Sequence, residues 1–169
     1  DDDGGGSQNS RLTYTAATSG TYYLGALDYA SGTGGYTLHA GTVTDDFPWA
    51  TTTTGLVTVN GASTAGTINF ESDADLFKVN LVAGTSYVLS LIRTAGGLTD
   101  PYLELFDASS SLVAYDDDSA GTQNSAITYT PSSTGVYYLG ASDFGSGTGG
   151  YRVSAVTVAD DFPWAFDTT

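Results

Sequence analysis

Short stretches in which apolar and polar residues alternate recur along this chain, separated by clusters of Gly, Asn, Asp and Ser. A period of two puts one set of side chains on each face of an extended strand, whereas a helix would scatter the same residues around its axis. Through the middle of the chain the pattern predicts strands at roughly residues 56–60, 66–70, 75–82, 86–93, 101–107, 111–115, 125–130, 136–142 and 150–158. In the third of these, Phe77, Val79 and Leu81 alternate with Lys78 and Asn80, so one face is expected in a core and the other in water. Many short strands with turn residues between them predict an all-β sandwich of antiparallel strands. The 22 Gly and 12 Tyr, with abundant Thr, Ser and Val, favour pleated surfaces and tight turns, so almost no helix is expected.

The pattern repeats. Residues 1–54 align without a gap on residues 116–169, and 34 of the 54 positions are identical. Asp1-Asp2-Asp3 falls on Asp116-Asp117-Asp118, Tyr22-Tyr23-Leu24-Gly25 on Tyr137-Tyr138-Leu139-Gly140, and Asp45-Asp46-Phe47-Pro48-Trp49 on Asp160-Asp161-Phe162-Pro163-Trp164. The chain therefore reads as the back half of one unit (1–44), a complete unit (45–159) and the start of a third (160–169), a piece of a tandem array within a larger protein. With neither Met nor a signal-like segment in the sequence, targeting signals are expected elsewhere in that protein. The Asp-Asp-Phe-Pro-Trp stretch and the Thr run after it are expected to join units, because Pro interrupts strand pairing.

Charge narrows the function. The chain carries 19 acidic and 4 basic residues, a net charge of −15, with 40% hydrophobic residues, enough to build a core. No basic patch is present to attract phosphate backbones and no run of 18 apolar residues to span a bilayer, so nucleic acid and membrane insertion are not expected. Zero Cys excludes thiolate chemistry and Cys-held metals, and the single His39, on the wet face of its expected strand, supplies no triad. Gly32-Thr33-Gly34-Gly35 lacks the Lys and helix of a phosphate loop, and its copy at 147–150 is read as a hairpin turn. Paired carboxylates could run a glycosidase, but repeated active sites in a tandem array would be unusual, so no enzyme is expected.

Any metal must then be held by oxygen. Three adjacent carboxylates such as Asp116, Asp117 and Asp118 repel one another by roughly 4 kcal/mol per pair at about 4 Å and an effective dielectric near 20. Such a run is either splayed into water or gathered around a cation. Calcium, with 6 to 8 oxygen ligands in flexible geometry, suits an Asp/Asn/Gly loop better than magnesium does. The candidate ligands are Asp116, Asp117, Asp118 and Asn124, with Asp100 and Asp143 as partners from polar turns of the same unit, and Asp1, Asp2 and Asp3 in the other copy. A second cluster is expected at Asp73 and Asp75, with Glu71 and the inter-unit Asp45 and Asp46, although Asp45 and Asp46 also read as solubilising linker residues.

The motifs Asp75-Leu76-Phe77-Lys78-Val79, Ala83-Gly84-Thr85-Ser86-Tyr87, Asp100-Pro101-Tyr102-Leu103-Glu104-Leu105-Phe106-Asp107, Asp116-Asp117-Asp118 and Gly135-Val136-Tyr137-Tyr138, in that order, resemble the bacterial pre-peptidase C-terminal domain. The resemblance implies a calcium-binding, jelly-roll-like β-sandwich with several calcium ions, appended to secreted bacterial proteins. It favours the cation over the solvated turn at the Asp run, and a calcium site where the linker meets the first strands. Similar modules occur behind secreted peptidases and collagenases and in RTX-type adhesins. Tandem organisation fits the adhesins, although the chain has none of their Gly-Gly-x-Gly-x-Asp nonapeptides.

The expected function is a non-catalytic, calcium-dependent adhesion module, secreted or displayed on a bacterial surface, that binds a peptide or protein, through a ligand carboxylate at an open calcium position. A sugar ligand, a calcium-stiffened structural spacer and an accessory domain of a secreted peptidase are the alternatives. Tyr22-Tyr23 and Tyr137-Tyr138 are each expected to send one ring inward and one outward. The outward Tyr23 and Tyr138, with Tyr29 and Phe144, are the candidate contact residues.

Overall fold

The alternating segments of the central unit become nine strands in the computed structural model, which describes residues 1–159 and contains no helix among them. They are β1 (Leu56–Val57), β2 (Thr64–Ile68), β3 (Asp75–Leu81), β4 (Tyr87–Arg93), β5 (Pro101–Phe106), β6 (Leu112–Asp116), β7 (Ser125–Tyr129), β8 (Gly135–Asp143) and β9 (Gly149–Thr157). Two sheets form, ordered β1-β3-β8-β5-β6 and β2-β9-β4-β7. All pairings are antiparallel except that of β1 with β3, which is parallel and only two residues long.

The chain changes sheet at every connection but one. Only β5 and β6 form a hairpin, through a turn in which one Asp107 carboxylate oxygen accepts from the amides of Ser109 and Ser111. The Gly147–Gly150 stretch is correspondingly not a hairpin turn, because β8 and β9 lie in different sheets.

Period-two alternation delivers one face of each sheet to a shared core. Phe77, Val79, Leu81, Leu103, Leu105 and Leu139 come from the five-stranded sheet, and Leu89, Leu91, Ile127, Tyr151 and Val153 from the other. Phe77 and Tyr151 meet edge-on across the sandwich at 6.2 Å between ring centroids. Phe47, ahead of the first strand, packs on Phe77 at 4.7 Å, so the Phe-Pro-Trp stretch is part of this sandwich's structure rather than bare connection.

The chain divides into two compact units, Asp1–Val43 and Thr44 onward. The first contains no strand, only an isolated bridge between Gly6 and Asn9. The strand expected there for Tyr36, Leu38, Ala40 and His39 is absent, and Tyr22 is exposed along with Tyr23 rather than turned inward. The expected start of a further unit at residues 160–169 lies outside the described residues.

Candidate metal centres and an aromatic sheet face

Two trios of carboxylates lie where loops meet strand ends. Asp45, Asp73 and Asp75 form one, Asp100, Asp117 and Asp118 the other, and within each trio one oxygen per residue lies within 4.8 Å of the others. Two ligands of one calcium ion, each about 2.3–2.6 Å from it, are separated by at most roughly 5 Å, so both trios are compatible with a shared ion.

In the first trio Asp75 opens β3 with its side chain turned into the protein, fully buried. One of its oxygens accepts from the Tyr151 hydroxyl; the other, Oδ1, is buried with no hydrogen-bond partner. Burial, with the charges of Asp46, Asp73 and Asp45 adding to it, pushes this carboxyl up to about 8 against the Tyr151 hydrogen bond. Asp73, in the turn before β3, accepts from the Asn69 amide at 2.6 Å, and Asp45 from the Phe47 amide at 3.0 Å. Burial raises Asp73 as well, with Asp45 and Asp46 contributing. Asp46 turns one oxygen to the Thr67 amide at 3.1 Å and stands beside the trio as a nearby negative charge; Glu71 is exposed and outside it.

The second trio sits at the start of β5 and the loop from β6 to β7. Asp100 and Asp117 each hold a buried Oδ1 with no partner, and Asp118 is exposed. Loss of solvent raises Asp100, helped by the charges of Asp118 and Asp143 and opposed by Arg93, and raises Asp117, helped by Asp100, Asp118 and Asp116. The buried Ser125 hydroxyl lies between the carbonyls of Pro101 and Asp117 and ties the loop to β5.

Asp116, Asn124 and Asp143 make the hydrogen bonds that shape these loops. Asp116 Oδ2 accepts from the amides of Ser119 at 3.1 Å and Ala126 at 2.7 Å. Asn124 Oδ1 accepts from the Arg93 amide at 3.0 Å, and its amide group donates to the Gly121 carbonyl at 3.1 Å. Asp143 takes the Gly145 and Gly147 amides on one oxygen and those of Thr99 and Asp100 on the other. Burial opposes ionisation of Asp143, but these hydrogen bonds outweigh it and hold its carboxyl below the ordinary value. The three shape the loops that present Asp100, Asp117 and Asp118. Alternation could not reveal this division, because it depends on which carboxylate each turn captures.

The outer face of the five-stranded sheet carries an aromatic row. Phe144 lies 5.9 Å from Tyr102, and Tyr102 lies 6.0 Å from Tyr115. Tyr102 lies in β5 two residues after Asp100, and Tyr115 lies near the end of β6 two residues before Asp117, so the row follows the same strand ends as the second trio. Tyr102 and Tyr115 were legible only as outward positions of β5 and β6. Further along, Tyr138 lies opposite Phe106 on the neighbouring strand, and Trp49 stands edge-on to Phe106 at 5.6 Å over Gly140, where a Cβ would come 2.5 Å from the indole. With Leu76 and Ser110 these rings line a shallow cleft of about 250 Å³. Tyr137 is buried and Tyr138 half-buried at the cleft, and Phe144 is exposed; Tyr23 and Tyr29 are exposed in the first unit.

In the first unit the Asp loop is reproduced without the trio. Asp1 Oδ2 accepts from the amides of Gly4 and Arg11, as Asp116 does from Ser119 and Ala126, while Asp2 and Asp3 have no counterpart of Asp100 within the unit.

Residues 73–143 match the family model described as Bacterial pre-peptidase C-terminal domain, which bears out the resemblance carried by the motifs. The family is one of accessory domains associated with secreted bacterial peptidases. Among solved structures, the chain is similar to the pre-peptidase C-terminal domain of a collagenase from Bacillus anthracis, with 18% identity over 60% of this chain and 92% of that one and a TM-score of 0.48. It is also similar to PliG of Aeromonas hydrophila, a periplasmic inhibitor of g-type lysozyme, with 15% identity over 60% of this chain and 97% of that one and a TM-score of 0.41. No curated protein matches the chain.

Proposed function

We propose that the central sandwich, which carries the pre-peptidase C-terminal match at residues 73–143, is a non-catalytic, calcium-dependent binding module of a secreted or surface-displayed bacterial protein. The observation that supports this reading best is that each acidic trio contains buried carboxylate oxygens with no hydrogen-bond partner: Asp75 Oδ1 in one, Asp100 Oδ1 and Asp117 Oδ1 in the other. Buried polar atoms in folded proteins are nearly always satisfied, and hard oxygen donors gathered this closely are what a divalent cation satisfies. Asp45, Asp73 and Asp75 would hold one ion, and Asp100, Asp117 and Asp118 another. Bound there, calcium supplies positive charge and leaves coordination positions that three carboxylates do not fill.

The first trio is deep and favours a structural ion that locks the chain before β1 onto the start of β3. The second includes the exposed Asp118, and its Asp100 and Asp117 lie within two residues in sequence of Tyr102 and Tyr115 of the aromatic row. A peptide carboxylate, including a free C-terminus, could complete that site while the peptide lies along the rings. Calcium is essential to the scheme, because an anionic ligand otherwise meets a chain of net charge −15. The tandem repeat favours an adhesion array, and the family match favours an accessory role beside a peptidase; the same binding face serves either. The test is a screen of peptides with free and amidated C-termini against the full chain in calcium and in chelator. Selective, chelator-sensitive binding of free acids is expected. No binding to peptides, collagen-like chains or sugars would overturn the module in favour of a spacer.

A further inference from the structure

The outer face of the five-stranded sheet holds a carboxylate among its rings. Leu103 and Leu105 of β5 enter the core, so Tyr102, Glu104 and Phe106 face outward, all three half-buried. Glu104 stands opposite Tyr115 of β6 on one side and Gly140 of β8 on the other. Gly140 has no side chain, and the Trp49 indole takes the space above it, edge-on to Phe106. The neighbours of Glu104 on this face are therefore Tyr102 and Phe106 along the strand, Tyr115 across the ladder to β6, and the Trp49 indole over Gly140. The surface is open to a partner, since Trp49 is 46% exposed and Tyr115 65%.

A carboxylate placed there has lost part of its water with nothing in return. Burial alone raises the Glu104 carboxyl, and among the described residues no cation or hydrogen-bond donor offsets it. The three basic residues of the second unit are engaged elsewhere: Lys78 Nζ donates to the Thr53 carbonyl, Arg93 to the Thr99 carbonyl and Arg152 to the Ser63 hydroxyl. Aromatic ring faces carry the negative part of the ring quadrupole, so rings and carboxylate favour the same kind of ligand, a positive group.

We infer that Glu104 and the rings around it bind an arginine side chain of a partner polypeptide. A guanidinium lies flat against an aromatic ring while two of its N–H groups donate to the two carboxylate oxygens, and it gives up water more readily than an ammonium does. A sugar would stack on the same rings but leave the carboxylate without a counter-charge. The net charge of −15 draws a cationic segment toward this surface before contact. The inference rests on reading this face as peptide-binding, but it needs neither calcium nor a free C-terminus.

The test follows the amide NMR shifts of the full chain, with calcium present, as a short amidated Gly/Ser peptide with one central Arg is added, and again with citrulline in place of the Arg, which keeps the shape and removes the charge. The Arg peptide should shift the amides of residues 102–106 and 138–140 and bind about tenfold more tightly than the citrulline peptide. Glu104→Gln keeps the shape of the side chain and should bring the two peptides to equal affinity, with the rest of the spectrum unchanged to show that the fold is intact. Tyr115→Ala, at an exposed position of the edge strand β6, should weaken the Arg peptide as well. Equal affinity for the two peptides in the original chain, a preference for Arg that survives Glu104→Gln, or no shift on this face at millimolar peptide each overturns the inference. An oligosaccharide that shifts the same amides in the original chain and in Glu104→Gln, with no preference for Arg over citrulline, overturns it too and makes the face a sugar platform. A preference for Arg without any selection between free and amidated C-termini upholds this inference and removes the calcium-bound carboxylate from the proposed function.

Discussion

Replacing Asp75 by Asn should stabilise the calcium-free protein and shrink the further stabilisation that calcium gives. Asp75 is fully buried, and its carboxyl is raised from 3.8 to about 8 chiefly by that burial. At pH 7 it therefore holds its proton in the fold and releases it on unfolding. The unfolded state is favoured by about three pH units at roughly 1.4 kcal/mol each, on the order of 4 kcal/mol. Because the folded state binds the proton more tightly, calcium-free stability is greatest below the unfolded value and falls as pH rises through the interval up to about 8. Asn keeps an oxygen for the Tyr151 hydroxyl and turns an NH2 group toward Asp45 and Asp73, with no proton to lose. In chelator at pH 7, Asp75→Asn should raise Tm by roughly 10 °C and flatten this pH dependence. In excess calcium the original chain gains about 2.7 kcal/mol at a hundredfold excess over Kd, and the variant, short of one anionic ligand, gains much less. Circular dichroism melts from pH 5 to 8, with and without calcium, check both signs. A variant that melts lower than the original by the same amount in chelator and in calcium would refute the reasoning.

Asp117→Ala should shrink the calcium-induced rise in Tm. Asp116→Ala should cost about 1–3 kcal/mol equally with and without calcium, because it strips two loop amides of their acceptor, as paired melts would show. Leu139→Ala, fully buried between the sheets, should cost roughly 2–5 kcal/mol in urea unfolding, whereas Leu24→Ala at the matching repeat position should cost under about 0.5 kcal/mol. Tyr102→Ala and Phe144→Ala should weaken peptide binding by calorimetry and leave the calcium-dependent melting shift nearly intact.

The longer strands of the central unit were legible because each writes its own alternation. β3 is the clearest: Phe77, Val79 and Leu81 are buried with Lys78 and Asn80 turned out of the core. What alternation does not encode is the partner. Hence the change of sheet after β8 was invisible at Gly147–Gly150, and a clear strand pattern around Tyr36 and Leu38 yields no strand. The acidic sites were legible as a neighbourhood. Asp100, Asp117 and Asp118 converge while Asp116, Asn124 and Asp143 are taken up by backbone amides and carbonyls, a choice set by loop geometry after the chain has folded. Tyr102 and Tyr115 gave no signal beyond being outward strand positions; their alignment with Phe144 comes from sheet register.

The central claim is that the two trios are calcium sites, and titration of the purified full chain with calcium by isothermal calorimetry tests it most directly. The account predicts saturable uptake of two ions per chain, falling to one in Asp75→Asn and to one in Asp117→Ala. No calcium uptake at millimolar concentration, or uptake that neither substitution changes, would contradict it.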